Sequence, residues 1–389
     1  MSHSQTTLPT SSRAPLEQLS VRDTRSNRRA LILTLIALGV IVVLSVLGAT
    51  GVLSIPVFTQ PDGLAAASLW KLSGGALAIL VVAAVLMIVF FIAGLASGRV
   101  SRPVGIVVFL GPAALFMLVG LVIPAIRTFL LSFYDAAGKT AVGADNYVWA
   151  FTNPTMRVVL INTVLWIVLA PTFATAFGLV LALLSDRMRA RSEKATKSLI
   201  FLPMAISFVG ASVIWKFVYQ YNEPNQPQIG LLSQVAIWLG WKDPPNWLLN
   251  TPLNTFMLIV IMIWVQTGFA MVVLSAAIKA IPNDVLEAAA LDGATGWQMF
   301  VRVTIPMIRG TLIVVFTTIL IAVLKIFDIV ATMTGGNFNT SVLSYEMYRQ
   351  TFVQGDQGHG SALAVILFVG VVPVLIYNIL QLRKERATR

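Results

Sequence analysis

Eight stretches of this chain are each apolar and long enough to cross a lipid bilayer, and no other feature restricts the possible folds so severely. They run over 31–49, 72–95, 104–131, 158–184, 199–219, 255–278, 311–331 and 361–382. At 1.5 Å per residue, about 20 helical residues span a hydrocarbon core of roughly 30 Å. Hydrocarbon offers no partner to a free N–H or C=O, so runs of this length are viable only as helices. The expected fold class is therefore all-α: an integral membrane protein of about eight transmembrane helices.

The balance of residue types agrees. Hydrophobic residues make up 57% of the chain and charged ones 11%, against about 45–50% and about 25% in soluble domains. A water-soluble fold with that balance would expose large apolar patches. There is no cysteine, which removes disulfides, thiolate metal sites and cysteine nucleophiles. The two histidines, His3 and His359, do not make a metal cluster or a Ser/His/Asp triad. No metal and no cofactor is expected on this chain, and it does not read as an enzyme.

The net charge of +11 raises the question of nucleic acid, and the positions of the basic residues answer it. With the amino terminus inside, Lys and Arg crowd the 1–29 tail, the Arg99–Arg102 turn, 187–197, 279–309 and the carboxyl end. The opposite loops hold only Lys71, Lys139, Arg157, Lys242 and Arg349. Basic residues are retained on the cytoplasmic side of inner-membrane helices, so both termini are expected in the cytoplasm and the partner is lipid rather than nucleic acid. Residues 1–29, rich in Ser, Thr and Arg, read as a disordered tail. Two helices in 30–103 would then precede a six-helix core over 104–382, with a short tail over 383–389. The 222–253 loop carries Trp241 and Trp247, as expected of a segment at the membrane interface.

The most specific signal lies between the sixth and seventh apolar runs, in 279–310: KAIPNDVLEAAALDGATGWQMFVRVTIPMIRG. Pro282, Asn283 and Asp284 look like a helix start, with the Asp284 carboxylate able to satisfy free N–H groups. Gly293 permits a turn, and Thr295 to Val303 can form a second short helix before Pro306 breaks the pattern. Three alanines, Ala288 to Ala290, would let the first helix approach a partner closely, and Glu287 offers a carboxylate to a basic residue across that contact.

The residues EAAALDGATGWQMFVRVTIP resemble the EAA loop of the membrane subunits of binding-protein-dependent ATP-binding-cassette (ABC) importers. The match is carried by Glu287, Ala288, Ala289, Asp292, Gly293, Ala294, Phe300 and Pro306. Further on, LKIFDIVATMTGGNF, SYEMYRQTF and GSALAVILFVGVVPVLIYNI are similar to the carbohydrate-uptake branch, especially its α-glucoside and maltose-type permeases. The external loops here are short, so no role of the long insert of some maltose systems carries over. Gly310 stands where sugar-type relatives often have a second proline.

What the resemblance implies is a permease subunit of an ABC importer in a bacterial inner membrane, taking up a di- or oligosaccharide. It implies a second permease chain, two ATPase subunits that carry the ATP and Mg, and a sugar-binding protein outside. The helix from Asp284 to Gly293 would couple to the ATPase through Glu287, Ala288, Ala289, Asp292 and Gly293. No G-x-x-x-x-G-K-[ST] loop occurs in this chain, in keeping with ATP bound elsewhere.

A sugar path needs polar side chains and flat apolar faces at mid-membrane, where polar groups are otherwise costly. Gln266 sits near mid-depth of its helix with Trp264 and Phe269 flanking it, and resemblance to the maltose-type subunit puts this stretch along the sugar path. Lys325 and Asp328, three apart, are expected either to pair on one helix or to form a polar wall. An ion-coupled secondary transporter with Asp328 as the coupling carboxylate is the alternative, but it does not account for the 279–310 loop.

Overall fold

The computed structural model describes residues 117–387 except 224–225, together with Leu110 and Ala114. The expected helices over 31–49 and 72–95 and the tail over 1–29 lie outside the described residues, as does most of the 104–131 run. The chain divides into two units, 1–124 and 125–389. Of the first, the described part is chiefly a π-helical stretch, Leu118–Val122, leading into helix α1, Ile123–Leu131. The remaining helices belong to the second unit.

These are α2 (Asp145–Thr152), α3 (Pro154–Asp186), α4 (Ala190–Phe201), α5 (Phe208–Val218), α6 (Leu231–Trp238) and α7 (Leu253–Lys279), followed by α8 (Asn283–Leu291) and α9 (Gly296–Met299). Then come α10 (Arg309–Leu324), α11 (Asp328–Met333), α12 (Leu343–Tyr348) and α13 (Gln357–Ala387). Among the described residues there is no strand, only one isolated bridge between Tyr134 and Ala141. Among the described residues three helices, α3, α7 and α13, are long and apolar enough to cross a membrane, and two bent pairs add one candidate span each. The final helix runs on through Ala387, so the expected tail over 383–389 is helical for most of its length.

The core is the packing of α3 against α7. Asn153 starts α3 by accepting hydrogen bonds from the Thr155 and Met156 N–H groups, with Pro154 in the first turn, where its missing donor costs nothing. Along α3 the buried residues Ala170, Ala174, Gly178 and Ala182 recur every fourth position and form a smooth ridge. Small residues let two backbones close up in a membrane, where tight packing rather than hydrophobicity drives helix association. The opposite side of α3, with Ile161, Val164, Val168, Val180 and Leu184, is exposed, as befits a face turned to lipid. On α7, Gly268 lies against the end of α4 so closely that a β-carbon there would stand 2.4 Å from the Ile200 carbonyl oxygen.

Three expected features differ. The 199–219 run is not one straight helix. After α4 comes a 3-10 turn, Leu202–Ala205, containing Pro203; Ile206 is extended, and Ser207 starts α5 by accepting from the Gly210 N–H at 3.1 Å. The two arms meet at 102°. Proline and a serine cap together end one helix and begin another, a combination that hydropathy does not register. The 311–331 run is also broken, since α10 stops at Leu324 and α11 begins at Asp328. The Ile326 carbonyl between them accepts from the Ser344 hydroxyl. Finally, Trp247 is only 6% exposed and donates from Nε1 to the Ser233 hydroxyl at 2.9 Å. It is core rather than interface, while Trp241 is exposed.

Candidate functional site

Helix α8 stands almost free of the rest of the chain. None of its residues is buried. Glu287, Ala288, Asp292 and Gly293 are exposed and Ala289 is half-buried, while Leu291 and Trp297 are 89% and 71% exposed. The helix starts after Pro282 with no side-chain cap, so Asp284 makes no capping bond and acts only through its charge near the positive helix end. At the other end Gly293 adopts φ 78°, a left-handed conformation that glycine accepts without strain. The Gly293 and Ala294 N–H groups then reach back to the Ala290 and Ala289 carbonyls at 3.0 and 3.1 Å.

A capping box opens α9. The Thr295 hydroxyl accepts from the Gln298 N–H at 3.3 Å, and Gln298 Oε1 accepts from the Thr295 N–H at 2.8 Å. The T-x-x-Q spacing carried this signal in the sequence. Helical structure continues past the expected stop at Pro306 through a π-helical stretch, Phe300–Thr304, and a short turn, Ile305–Met307. Pro306 falls in the first turn of that segment, where its missing N–H is tolerated. The chain then bends by 70° into α10, which begins at Arg309 with Gly310 in its first turn. The result is an exposed nine-residue helix with small residues and a carboxylate, ended by a defined turn.

Four residues upstream of α8, the ends of three helices are tied together. Glu193 of α4 accepts from Lys279 of α7 at 2.5 Å and from Lys197 one turn further along α4. Lys279 also lies 3.6 Å from Asp186 at the end of α3, and Lys197 reaches the Ser275 hydroxyl of α7. Hydrogen bonds from Lys197 and Lys279 hold the Glu193 carboxyl at about 2, against its ordinary 4.5. In the sequence Lys197 and Lys279 count only as basic loop charge, and nothing there marks Glu193 or Asp186 as their partners. Their meeting joins positions 86 apart in the chain.

In mid-α7, Gln266 is 8% exposed and makes no hydrogen bond with any described residue. Phe269 shares its face, but Trp264 does not. Residues two positions apart on a helix lie about 200° around it from one another, and Trp264 faces a largely apolar groove of about 590 Å³ between α3, α4, α5 and α7. There its ring meets Trp215 edge-on, with centroids 5.7 Å apart. Lys325 and Asp328 form no ion pair, because the helix that would have put them on one face ends between them. Lys325 is exposed and Asp328 half-buried at the break.

The far end of α7, about 40 Å from α8 along its 27 residues, carries a polar structure the sequence reading missed. The turn between α11 and α12 has Phe338 and Asn339 in left-handed conformations. It is held by Asn254 Nδ2 and Thr251 Oγ1, both donating to the Phe338 carbonyl at 2.8 Å. Asn162 Nδ2 donates to the Asn339 and Ser341 carbonyls at 2.6 and 3.0 Å. Beneath the turn Glu346, 1% exposed, accepts a forked pair from Arg349 at 3.0 and 2.8 Å and a third bond from Gln350 at 2.7 Å. The E-x-x-R-Q spacing was the available signal.

Comparison with known proteins fits this architecture. Residues 174–389 match the family described as binding-protein-dependent transport system inner membrane component. The osmoprotective compounds uptake permease protein GgtC of Synechocystis sp. is 51% identical over 72% of this chain and 99% of its own length. The alpha-glucoside transport system permease protein AglF of Rhizobium meliloti is 44% identical over 74% of this chain and 85% of its own. Among solved structures, a chain of a bacterial ABC transporter involved in the import of the acidic polysaccharide alginate aligns at TM-score 0.61 and 25% identity. That alignment covers 71% of this chain and 94% of that one. A secondary transporter is set aside by these matches. The exposed α8 loop, the apolar helices and the family match lead to one conclusion: this chain belongs to the binding-protein-dependent transport system inner membrane components, as an ABC importer permease, a transport subunit rather than an enzyme.

Proposed function

We propose that the chain is one permease of an importer for a di- or oligosaccharide of the α-glucoside type, such as maltose, trehalose or sucrose. It pairs with a second permease chain. Two ATPase subunits, which carry ATP and Mg, sit beneath it, and a sugar-binding protein delivers cargo from outside. Both termini and α8 face the cytoplasm, in line with the skew of Lys and Arg. Glu287, Ala288, Ala289, Asp292 and Gly293 seat α8 in an ATPase groove. ATPase closure moves α8, and the helices behind it rock between outward and inward access.

One observation on this chain supports a polar cargo more than any other: Gln266, a polar side chain 8% exposed in the middle of an apolar helix, whose amide makes no hydrogen bond with any described residue. Its amide atoms keep some exposure to the space beside α7, where they can hydrogen-bond a passing hydroxyl. Phe269, on the same face, offers the flat apolar surface that a pyranose ring stacks on. Asp328 and Lys325, released by the helix break, supply further polar groups. Trp264 contributes from the neighbouring groove with Trp215. The name of one relative, an alpha-glucoside transport system permease, supports a glucoside cargo.

The test is purification of the chain from its native membrane in mild detergent, with mass spectrometry of what accompanies it, then uptake of maltose, trehalose and sucrose by the reconstituted assembly. A second permease and an ATPase in the preparation, with ATP-dependent uptake of one of these sugars, is the expected result. Uptake that survives ATP depletion, or an assembly that moves none of the three, would remove the reading.

A further inference from the structure

We propose that Lys279, Glu193, Lys197 and Asp186 form a latch that makes α4 move with α7 when α8 is pushed, so that Lys279 and Glu193 are positioning residues for energy coupling. The inference rests on the reading of α8 as the element seated on the ATPase.

The argument begins with chain geometry. Lys279 is the last residue of α7 and α8 starts at Asn283. Only Ala280, Ile281 and Pro282 intervene, and Ile281 is buried. A displacement of α8 therefore reaches the α7 end first. A single helix end could bend or fray under that load. Here it is cross-linked: Lys279 bonds Glu193 at 2.5 Å and lies 3.6 Å from Asp186, while Lys197 bridges Glu193 and Ser275. Three helices, α3, α4 and α7, thus share one ionic knot. Glu193 is its hub, 13% exposed, whereas Lys279 is 47% exposed on the outer side.

The placement also suits the helix dipoles. Glu193 lies in the first turn of α4, where a negative charge is favoured, and Lys279 in the last turn of α7, where a positive one is. A second attachment lies about 16 Å up α7, where Gly268 meets the Ile200 backbone of α4. One contact alone would let α4 swivel about Gly268. Two contacts make α4 a lever rigidly joined to α7. That lever ends in the Pro203–Ser207 break and α5, so movement at α8 is carried to the bent segment that lines the Trp215–Trp264 groove. Coupling of this kind travels through packed elements with shared bonds.

Two measurements decide the matter. In proteoliposomes holding the whole transporter and its binding protein, radiolabelled maltose, trehalose and sucrose are offered while ATP hydrolysis is followed. Lys279→Met is expected to raise the ATP consumed per sugar by about threefold or more, with Lys279→Arg close to wild type. Glu193→Gln, which keeps the side-chain shape, should behave like Lys279→Met and serves if that variant fails to assemble. In the second measurement, spin labels are placed at Arg191→Cys and at Asn283→Cys, the exposed first residue of α8, which is simple in a chain without cysteine. The distance distribution between the labels should be narrow and should broaden in Lys279→Met and Glu193→Gln. An unchanged ATP-to-sugar ratio, or an unchanged label distribution, in an assembled latch variant overturns the proposal. A wild-type complex that moves no sugar would instead count against the substrate reading, and the label distances would still decide the latch.

Discussion

Replacing Gly268 by alanine tests the packing on which both the groove and the latch depend. The added β-carbon would stand 2.4 Å from the Ile200 carbonyl oxygen and 2.8 Å from the Phe201 α-carbon, while ordinary contact begins at 3.4 Å. Both obstacles are backbone, so no side chain can swing aside. Helix α4 must retreat from α7 by the difference, 3.4 less 2.4, or about 1 Å. A gap of that size forfeits up to half of each contact's ~0.15 kcal/mol, and over roughly 40 atom pairs the loss is about 3 kcal/mol. That lies at the upper end of the ~1–3 kcal/mol typical of overpacking. Thermal unfolding of the purified protein in detergent should show a fall in Tm of about 6 °C or more. Gly370→Ala is the control. It lies within α13 with nothing within 4 Å of the added carbon, and better helix propensity should stabilise it by about 0.5–1 kcal/mol. A Gly268→Ala protein that melts at or above the wild-type temperature would refute the close approach of α4 to α7.

Other outcomes follow from the same contacts. Glu346→Ala strips the buried acceptor from Arg349, Gln350 and Ser341; because Arg349 is partly exposed, the loss should be about 2–3 kcal/mol in unfolding experiments rather than the ~3–5 of a fully buried pair. Glu193 has its folded pKa depressed from 4.5 to about 2, so its contribution is complete above about pH 4.5 and fades as pH falls towards 2. The difference in Tm between wild type and Glu193→Gln should accordingly be constant from about pH 5 to 8 and shrink below that range, and a difference that grew on acidification would contradict the ion pairing. Glu287→Lys should abolish uptake and ATPase co-purification while leaving membrane insertion intact, since the residue is exposed and makes no hydrogen bond or ion pair with any described residue. Gln266→Ala should change the relative uptake of maltose, trehalose and sucrose without altering assembly, and identical uptake of all three would remove Gln266 from the path.

How much was legible in advance depended on the range of the interaction concerned. Apolar runs of 20 or more residues announce helices because lipid penalises every free backbone group, and α3, α7 and α13 lie where those runs are. The 279–310 loop was readable as helix, turn, helix because its signals are local: Pro282 at one end, Gly293 in the middle and Thr295 after it. The breaks inside the 199–219 and 311–331 runs were not readable from hydropathy, since an extended residue or two between apolar helices barely alters the average. Pro203 and Ser207 hinted at the first break, and nothing as plain marked the second.

The sequence by itself thus determined the solvent, the helical class, the exposed loop and, through its motif, the family, because each depends on residues near one another in the chain. Tertiary structure alone decided which side chains meet. It set Lys279 against Glu193 across 86 positions, brought Trp264 against Trp215, parted Lys325 from Asp328 and buried Trp247 and Glu346. Pairings of that kind follow from how helices cross and where they bend, and a helical period fixes only the face a residue occupies, never the neighbour that face will find.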